Sequence, residues 1–472
     1  MSKTKQRKTG QGHRLPDPPE PHPCAAGIDI GAREIYVAVH QDPEGQPVRR
    51  FATFTEDLQR LADWLQRCGV TTVAMESTGV YWIPLYEILD QRGLQPCVVN
   101  ARHMKNVPGR RTDWHECQWI QFLHSVGLLR AAFRPADQVC AVRAILRQRQ
   151  ELVRMAAQHV QHIHKSLTQM NLQIHHVISD ITGTTGLAIL DAILDGQRDP
   201  TILAELRDRR IRANLETLRK SLCGNWREEH LFILDQELKL YRHYLEQIVR
   251  AEQKVEELLS RFTPRVDPLQ KPLPPDSKQN RSGARRRKKA GHQAFFDLRT
   301  EAYKLYGVDV TQIPGLESSV IALFGEVGRD LSRWPTAGHF VSWLALCPDN
   351  DITGGHLAWR GIRPANNRAG EIFRMAAQSL HHSPTPMGDH LRRFKAKLGP
   401  AGAVTATARK IAILFYTLVT RQVEYDPSLW GASEAQRQQR LQRKLTAQAR
   451  RLGYQLVPLA QHLKPQTPEK YQ

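Results

Sequence analysis

In the stretch GRRTDWHECQWIQFLH, residues 109–124, two carboxylates stand three positions apart, Asp113 and Glu116, directly behind a pair of arginines. Two further acids sit in short upstream motifs, Asp29 in GIDIG and Glu76 in AMESTG. Singly, each has an ordinary explanation. Asp29 could cap a turn, Glu76 could pair with an arginine, and Asp113 with Glu116 could be an exposed first helical turn favoured by the helix dipole. Brought to one point, four carboxylates repel one another strongly unless divalent cations neutralise them. Ligands that are all oxygen select hard ions such as Mg2+ or Mn2+. Two such ions a few ångströms apart activate a nucleophile and stabilise a leaving oxygen in phosphodiester chemistry.

Whether the acids meet depends on the elements that carry them. Residues 25–125 alternate strand and helix signals. AAGIDIG, EIYVAVHQ and VRRFATF read as three consecutive strands, an antiparallel meander. TEDLQRLADWLQRCG has apolar residues at helical spacing, with a threonine cap at its start and Gly69 at its end. TTVAMEST is a fourth strand, YWIPLYEILDQRG a second helix, QPCVVN a fifth strand, and a further helix opens at Asp113. The order βββαβαβα is that of the RNase H fold, an α/β layer architecture. In it Asp29 ends the first strand, Glu76 ends the fourth, and Asp113 and Glu116 share one face of the last helix. The four positions then converge. Trp114, His115 and Trp119 are expected in the core and on the helix face rather than as a base-stacking platform.

The rest of the composition says what such a site would act on. The chain has 472 residues, 41% hydrophobic and 24% charged, enough for two or three domains. Its net charge of +20 calls for a polyanion, and nucleic acid fits better than an acidic membrane surface or protein. No apolar run approaches the roughly 20 residues needed to cross a bilayer. The N-terminus is polar and proline-rich, without a secretory apolar core. Seven scattered cysteines with no Cys-x-x-Cys pair read as reduced cytosolic thiols, so no membrane association and a cytoplasmic location are expected.

Along the chain, residues 1–23 read as a disordered basic, proline-rich tail, 24–136 as the RNase H-fold domain and 137–262 as a coiled-coil helical region. In the last, Ile145, Leu152, Ala156, Val160, Ile163, Leu167, Met170 and Ile174 form one seam, and Leu231 to Phe262 a second. Residues 263–294 form a basic, proline-rich linker whose Arg285, Arg286, Arg287, Lys288 and Lys289 suit a phosphate tether, though a solvated loop is the alternative. Lys105, Arg110 and Arg111, just before the acids, are further candidates for nucleic-acid contact. Residues 295–430 are mostly helical. Their VTQIPGLESSVIALFGEVG resembles a helix-hairpin-helix motif, with Gly315 exposing backbone N–H groups to a phosphate. Residues 431–472 make a charged tail.

Taken together, GIDIGAREIYVAVH, VAMESTGVYWIPLYEIL, NARHMKNVPGRRTDWHECQWIQFLHSVGLL, IPGLESSVIALFGEVG, WLALCPDNDITGG and RPANNRAGEIFRMAAQSL resemble the DEDD transposases of insertion sequence family 110, subgroup 1111. The likeness covers most of residues 25–425. It implies a RuvC-like N-terminal domain with an acidic tetrad, a coiled coil, and a C-terminal transposase domain with a serine nucleophile. It also implies a homo-oligomer, dimer or tetramer, guided by a structured RNA encoded in the element. Such an assembly recombines DNA through a circular intermediate, in the bacterial cytoplasm and at the nucleoid.

The tetrad falls on Asp29, Glu76, Asp113 and Glu116, the last where the pattern has aspartate. Thr353, before Gly-Gly in DNDITGGHLAW, stands where relatives carry serine or threonine. A threonine hydroxyl attacks phosphorus when deprotonated beside a metal or base, although β-branching restricts its rotamers. The alternative is that Thr353 caps the turn and Ser379 or another hydroxyl takes the role. Arg360, Arg363, Asn366, Asn367 and Arg368 suit phosphate contact beside that hydroxyl, or else a solvated helix start. The resulting expectation is a metal-dependent, RNA-guided DNA recombinase. Its rivals are a RuvC-like nuclease of branched DNA without RNA or covalent step, and a non-catalytic nucleic-acid-binding scaffold.

Overall fold

Short apolar and β-branched runs open the chain as strands β1 (Ala25–Ile30), β2 (Glu34–Val39) and β3 (Val48–Ala52). They form the expected antiparallel meander, with Ile28 opposite Val37 and Val37 opposite Arg49. Helices α1 (Thr55–Arg67) and α2 (Trp82–Gln91) cross over to strands β4 (Thr72–Glu76) and β5 (Gln95–Val99), which join in parallel. The sheet order is β3-β2-β1-β4-β5. This computed structural model describes residues 21–77, 79–100, 112–275, 296–354, 356–359, 361–362, 367–426, 439 and 442–456. It falls into two units, Met1–Arg134 and Pro135–Gln472.

In the first unit the strand period of two separates two faces of the sheet. Ala26, Ile28 and Ile30 share a core with Leu61 and Leu65 of α1 and Leu85 and Leu89 of α2. Each such leucine contributes about 1.5–3 kcal/mol by leaving water. The opposite face takes helix α3 (Asp113–Ser125), whose Cys117 packs with Ala38 and Val48. One local expectation fails. Thr55 is not the cap of α1, because Phe54 occupies the cap position without a side-chain bond, and Glu56 and Asp57 complement the dipole instead. The far end follows expectation, with Gly69 at φ +68.

The second unit opens with helix α4 (Asp137–Gln169), which pairs with α9 (Glu228–Ser260). Arg149 bonds Glu252 and His159 bonds Glu237, so the two run antiparallel within one chain. Ile174, grouped by spacing with the first seam, is not on α4. The helix ends at Gln169, Asn171 takes φ +55, and Ile174 begins the single turn α5 (Ile174–Val177). With α6 (Thr184–Leu194), α7 (Pro200–Glu205) and α8 (Leu215–Ser221) it builds a cap around Ile189, Ile193, Leu203 and Leu218.

At the other end of the pair, Arg147 makes two hydrogen bonds to Glu326 of α11 (Val320–Val327), and Arg143 donates to the Gly325 carbonyl. The remaining elements are α10 (Leu298–Tyr306), α12 (Ala337–Trp343), the hairpin β6 (Asp351–Thr353) and β7 (His356–Trp359), α13 (Arg368–Ser379) and α14 (Pro386–Arg421). By length and composition alone α14 passes for a bilayer-crossing helix, but Arg409 and Lys410 interrupt its apolar run. It breaks at Gly399, φ +73, ahead of Pro400, and its Phe415 is a core residue packed on Tyr306, Phe340 and Phe373. All seven cysteines are free thiols.

Candidate metal centre and nucleic-acid interface

Asp29 and Glu76 reach the α3 face of the sheet by register. Ile28 pairs with Met75, and the next residues of β1 and β4 are the two acids. Helix α3 is set unusually close above them because Gly27 has no side chain. A Cβ there would lie 2.1 Å from the Gln121 backbone N and 2.4 Å from the Cys117 carbonyl oxygen. Three bonds fix the helix along its axis. Gln121 donates to the Ala25 carbonyl at 3.4 Å, buried His124 and Thr72 share a hydrogen bond at 2.9 Å, and His22 N–H donates to Ser125 O. The first turn of α3 is thereby delivered over the end of β1.

At that point one carboxylate oxygen each from Asp29, Asp113 and Glu116 lies within 4.8 Å of the others. Glu116, despite its extra methylene, reaches the cluster. Glu76 stands half-buried beside it rather than within that trio. Burial raises the Asp29 carboxyl from its ordinary 3.8 to about 6, aided by the charges of Glu116, Asp113 and Glu76. Cys117, a soft donor beside the cluster, is buried, and burial pushes its thiol up to about 12. An all-oxygen set whose own charges strain one member fits a hard divalent ion. Trp114 is 44% exposed, so the expectation of a core position fails for it. Trp119 is half-buried against Phe122, and His115 is engaged by Thr112 through a 2.7 Å bond.

The second unit carries the other candidates. Thr353 is exposed at the end of β6, opposite His356, next to a turn in which Gly354 takes φ +57. Asn367 is the cap of α13, accepting from Gly370 N–H at 2.9 Å and donating to the Trp343 carbonyl, and Arg368 is exposed in the first turn. Ser379 donates its hydroxyl to the Ala376 carbonyl at 2.8 Å. Gly315, at φ +88, lies against α13, where a Cβ would come within 2.4 Å of the Ala376 oxygen. Lys105, Arg110, Arg111, Arg285, Arg286, Arg287, Lys288, Lys289, Arg360, Arg363 and Asn366 lie outside the described residues.

Gly27, Gln121 and His124 position the site and were not anticipated. Only Gly27 left a sequence signal, a glycine inside a strand pattern, which marks close backbone approach.

Two family models match this chain. One, a transposase model labelled DEDD and IS110, covers residues 26–172, and the other, described as transposase IS116/IS110/IS902 family, covers residues 309–390. The first span holds all four acids, and the second holds Gly315, Thr353 and Asn367. A search of curated proteins gives no match.

Proposed function

The chain belongs to the DEDD transposases of the IS110 family, and from that premise we propose that it cuts and rejoins DNA with divalent cations and a structured guide RNA. A transposase of this kind is an enzyme that binds DNA, and its DEDD domain implies divalent-metal dependence. The observation that carries the finer reading is the meeting of Asp29, Asp113 and Glu116 oxygens within 4.8 Å beside Glu76. These four carboxylates hold Mg2+ or Mn2+. When bound, such ions supply positive charge to a phosphate under attack.

Thr353 provides an attacking hydroxyl. Its oxygen forms a bond to phosphorus and a deoxyribose oxygen leaves, taking up the proton; attack by a new DNA end reverses the step and frees the threonine. Exposure of Thr353 beside a tight glycine turn supports its access to a DNA strand. Exposed Arg368 and the basic segments at 105–111 and 285–289 hold phosphates, and pairing with the RNA chooses the sequence. The protein works as a homo-oligomer, on nucleoid DNA in the bacterial cytoplasm.

Two measurements test this. Nucleic acid retained after a high-salt wash, from cells carrying the flanking DNA, is expected to be one discrete structured RNA; a heterogeneous mixture removes the guide from the proposal. Denaturing gels of the protein with its DNA are expected to show a covalent adduct with Mg2+ that Thr353→Ala loses and Thr353→Ser keeps. Cleavage without an adduct would point to a metal-activated water instead.

A further inference from the structure

The helical pair of the second unit carries a separate trio of ligating side chains, His159 and His162 on α4 and Glu237 on α9. Residues three apart on a helix are neighbours on one face, and the antiparallel pairing sets Glu237 opposite them. Its Oε2 lies 2.5 Å from His159 Nδ1 and 3.1 Å from His162 Nδ1, and the three ligand atoms fall within 4.8 Å of one another. His159 stacks on Tyr244 with ring centroids 5.2 Å apart, which fixes the imidazole plane. The His159 and Glu237 side chains are 15% and 17% exposed, and that of His162 is 54% exposed, so an ion can enter on the His162 side. The trio lies within the α4–α9 seam, between Leu152 and Ile248 toward one end and Ile163 and Leu238 toward the other.

We infer that His159, His162 and Glu237 form a binding site for a borderline divalent transition ion of the Zn2+ class, one that clamps α4 to α9. Two imidazoles and a carboxylate are a zinc donor set and a poor one for Mg2+, so the site is chemically distinct from the oxygen cluster of the first unit. Ligand atoms around a tetrahedral zinc at 2.0–2.1 Å stand about 3.4 Å apart. The two Glu237 contacts, at 2.5 and 3.1 Å, reach that spacing by outward shifts of less than about 1 Å, within the range of side-chain rotation. The ion would bind the Glu237 oxygen and the two Nδ1 lone pairs, which become available as each Nδ1 proton moves to Nε2 or to solvent, leaving one coordination position for water. The inference does not rest on the transposase reading.

The test is zinc binding by the full-length chain, free of any histidine tag, in excess Mg2+. Bound metal is counted by mass spectrometry after gel filtration, and Co2+ substitution is followed by its visible absorption. Wild type is expected to retain zinc and to melt at a higher temperature with it. Asp113→Ala retains the same zinc, whereas His162→Gln weakens binding by at least about tenfold and His159→Gln/His162→Gln abolishes it. His162 is exposed enough that its substitution leaves the fold intact, so that variant decides the matter if the double variant does not fold. Zinc held equally by wild type and His162→Gln, or by neither, overturns the proposal.

Discussion

The two trios of ligating side chains are built on opposite electrostatic terms. Asp29, Asp113 and Glu116 are all acids, Glu76 adds a fourth negative charge, and burial, reinforced by these charges, raises the Asp29 carboxyl to about 6. At the helical pair, burial pushes the Glu237 carboxyl up, but hydrogen bonds with His159 and His162 outweigh it and hold the group below its ordinary value. A like-charged trio held together by backbone geometry is costly without an outside cation. A mixed trio satisfies itself and accepts an ion without needing one. Strain at the first site therefore points to its ligand more strongly than proximity alone does at the second.

The largest effect that can break this comparison is on chemistry. Asp113→Ala is expected to lower Mg2+-dependent strand cleavage at least about a thousandfold, equivalent to about 4 kcal/mol of barrier; retained cleavage would remove the cluster from catalysis. Next comes the geometry that forces the acids together. Gly27→Ala puts a methyl into the α3 backbone and should cost about 3 kcal/mol in urea unfolding, with loss of cleavage; a fully stable, active variant would mean the helix is not held by this approach.

Charge removal gives opposite signs at the two trios. Without metal, Asp29→Asn should stabilise the protein by about 1 kcal/mol, the pKa shift being discounted for a carboxyl that water still reaches. Glu237→Gln should destabilise it by about 1 kcal/mol. The pH dependence follows from the same asymmetry. Native Asp29 binds its proton more tightly than the unfolded chain does, so its contribution to stability falls as pH rises from about 4 through about 6 and then levels off. Mg2+ should flatten that fall, and Asp29→Asn should lack it; an identical slope in wild type and variant would mean the native state does not hold the Asp29 proton more tightly.

The first unit was legible because its elements are separated by turns and obey clean periods. The strands from β1 to β5 follow from short apolar or β-branched runs and α1 from 3.6-residue spacing, and the acids sit at the ends those elements imply. What failed was local or long-range. Thr55 looked like a cap but lies inside the helix, since capping depends on the backbone angle at Phe54. Ile174 kept the spacing of α4 across a break that Asn171 makes by turning left-handed. The pairing of His159 with Glu237 spans 78 residues, and that of His124 with Thr72 spans 52, distances at which no pattern in one sequence signals contact.

The length of α4 sets a scale for whatever the second unit holds. Thirty-three helical residues at 1.5 Å each make a rod about 50 Å long, joined at one end to α11 and carrying the cap of short helices at the other. Duplex DNA advances 3.4 Å per base-pair step, so the rod spans about fifteen steps, close to one and a half turns. A straight duplex lying along the rod would turn its major groove to one end and its minor groove to the other, and moving one binding segment by half a turn would present the same groove at both ends.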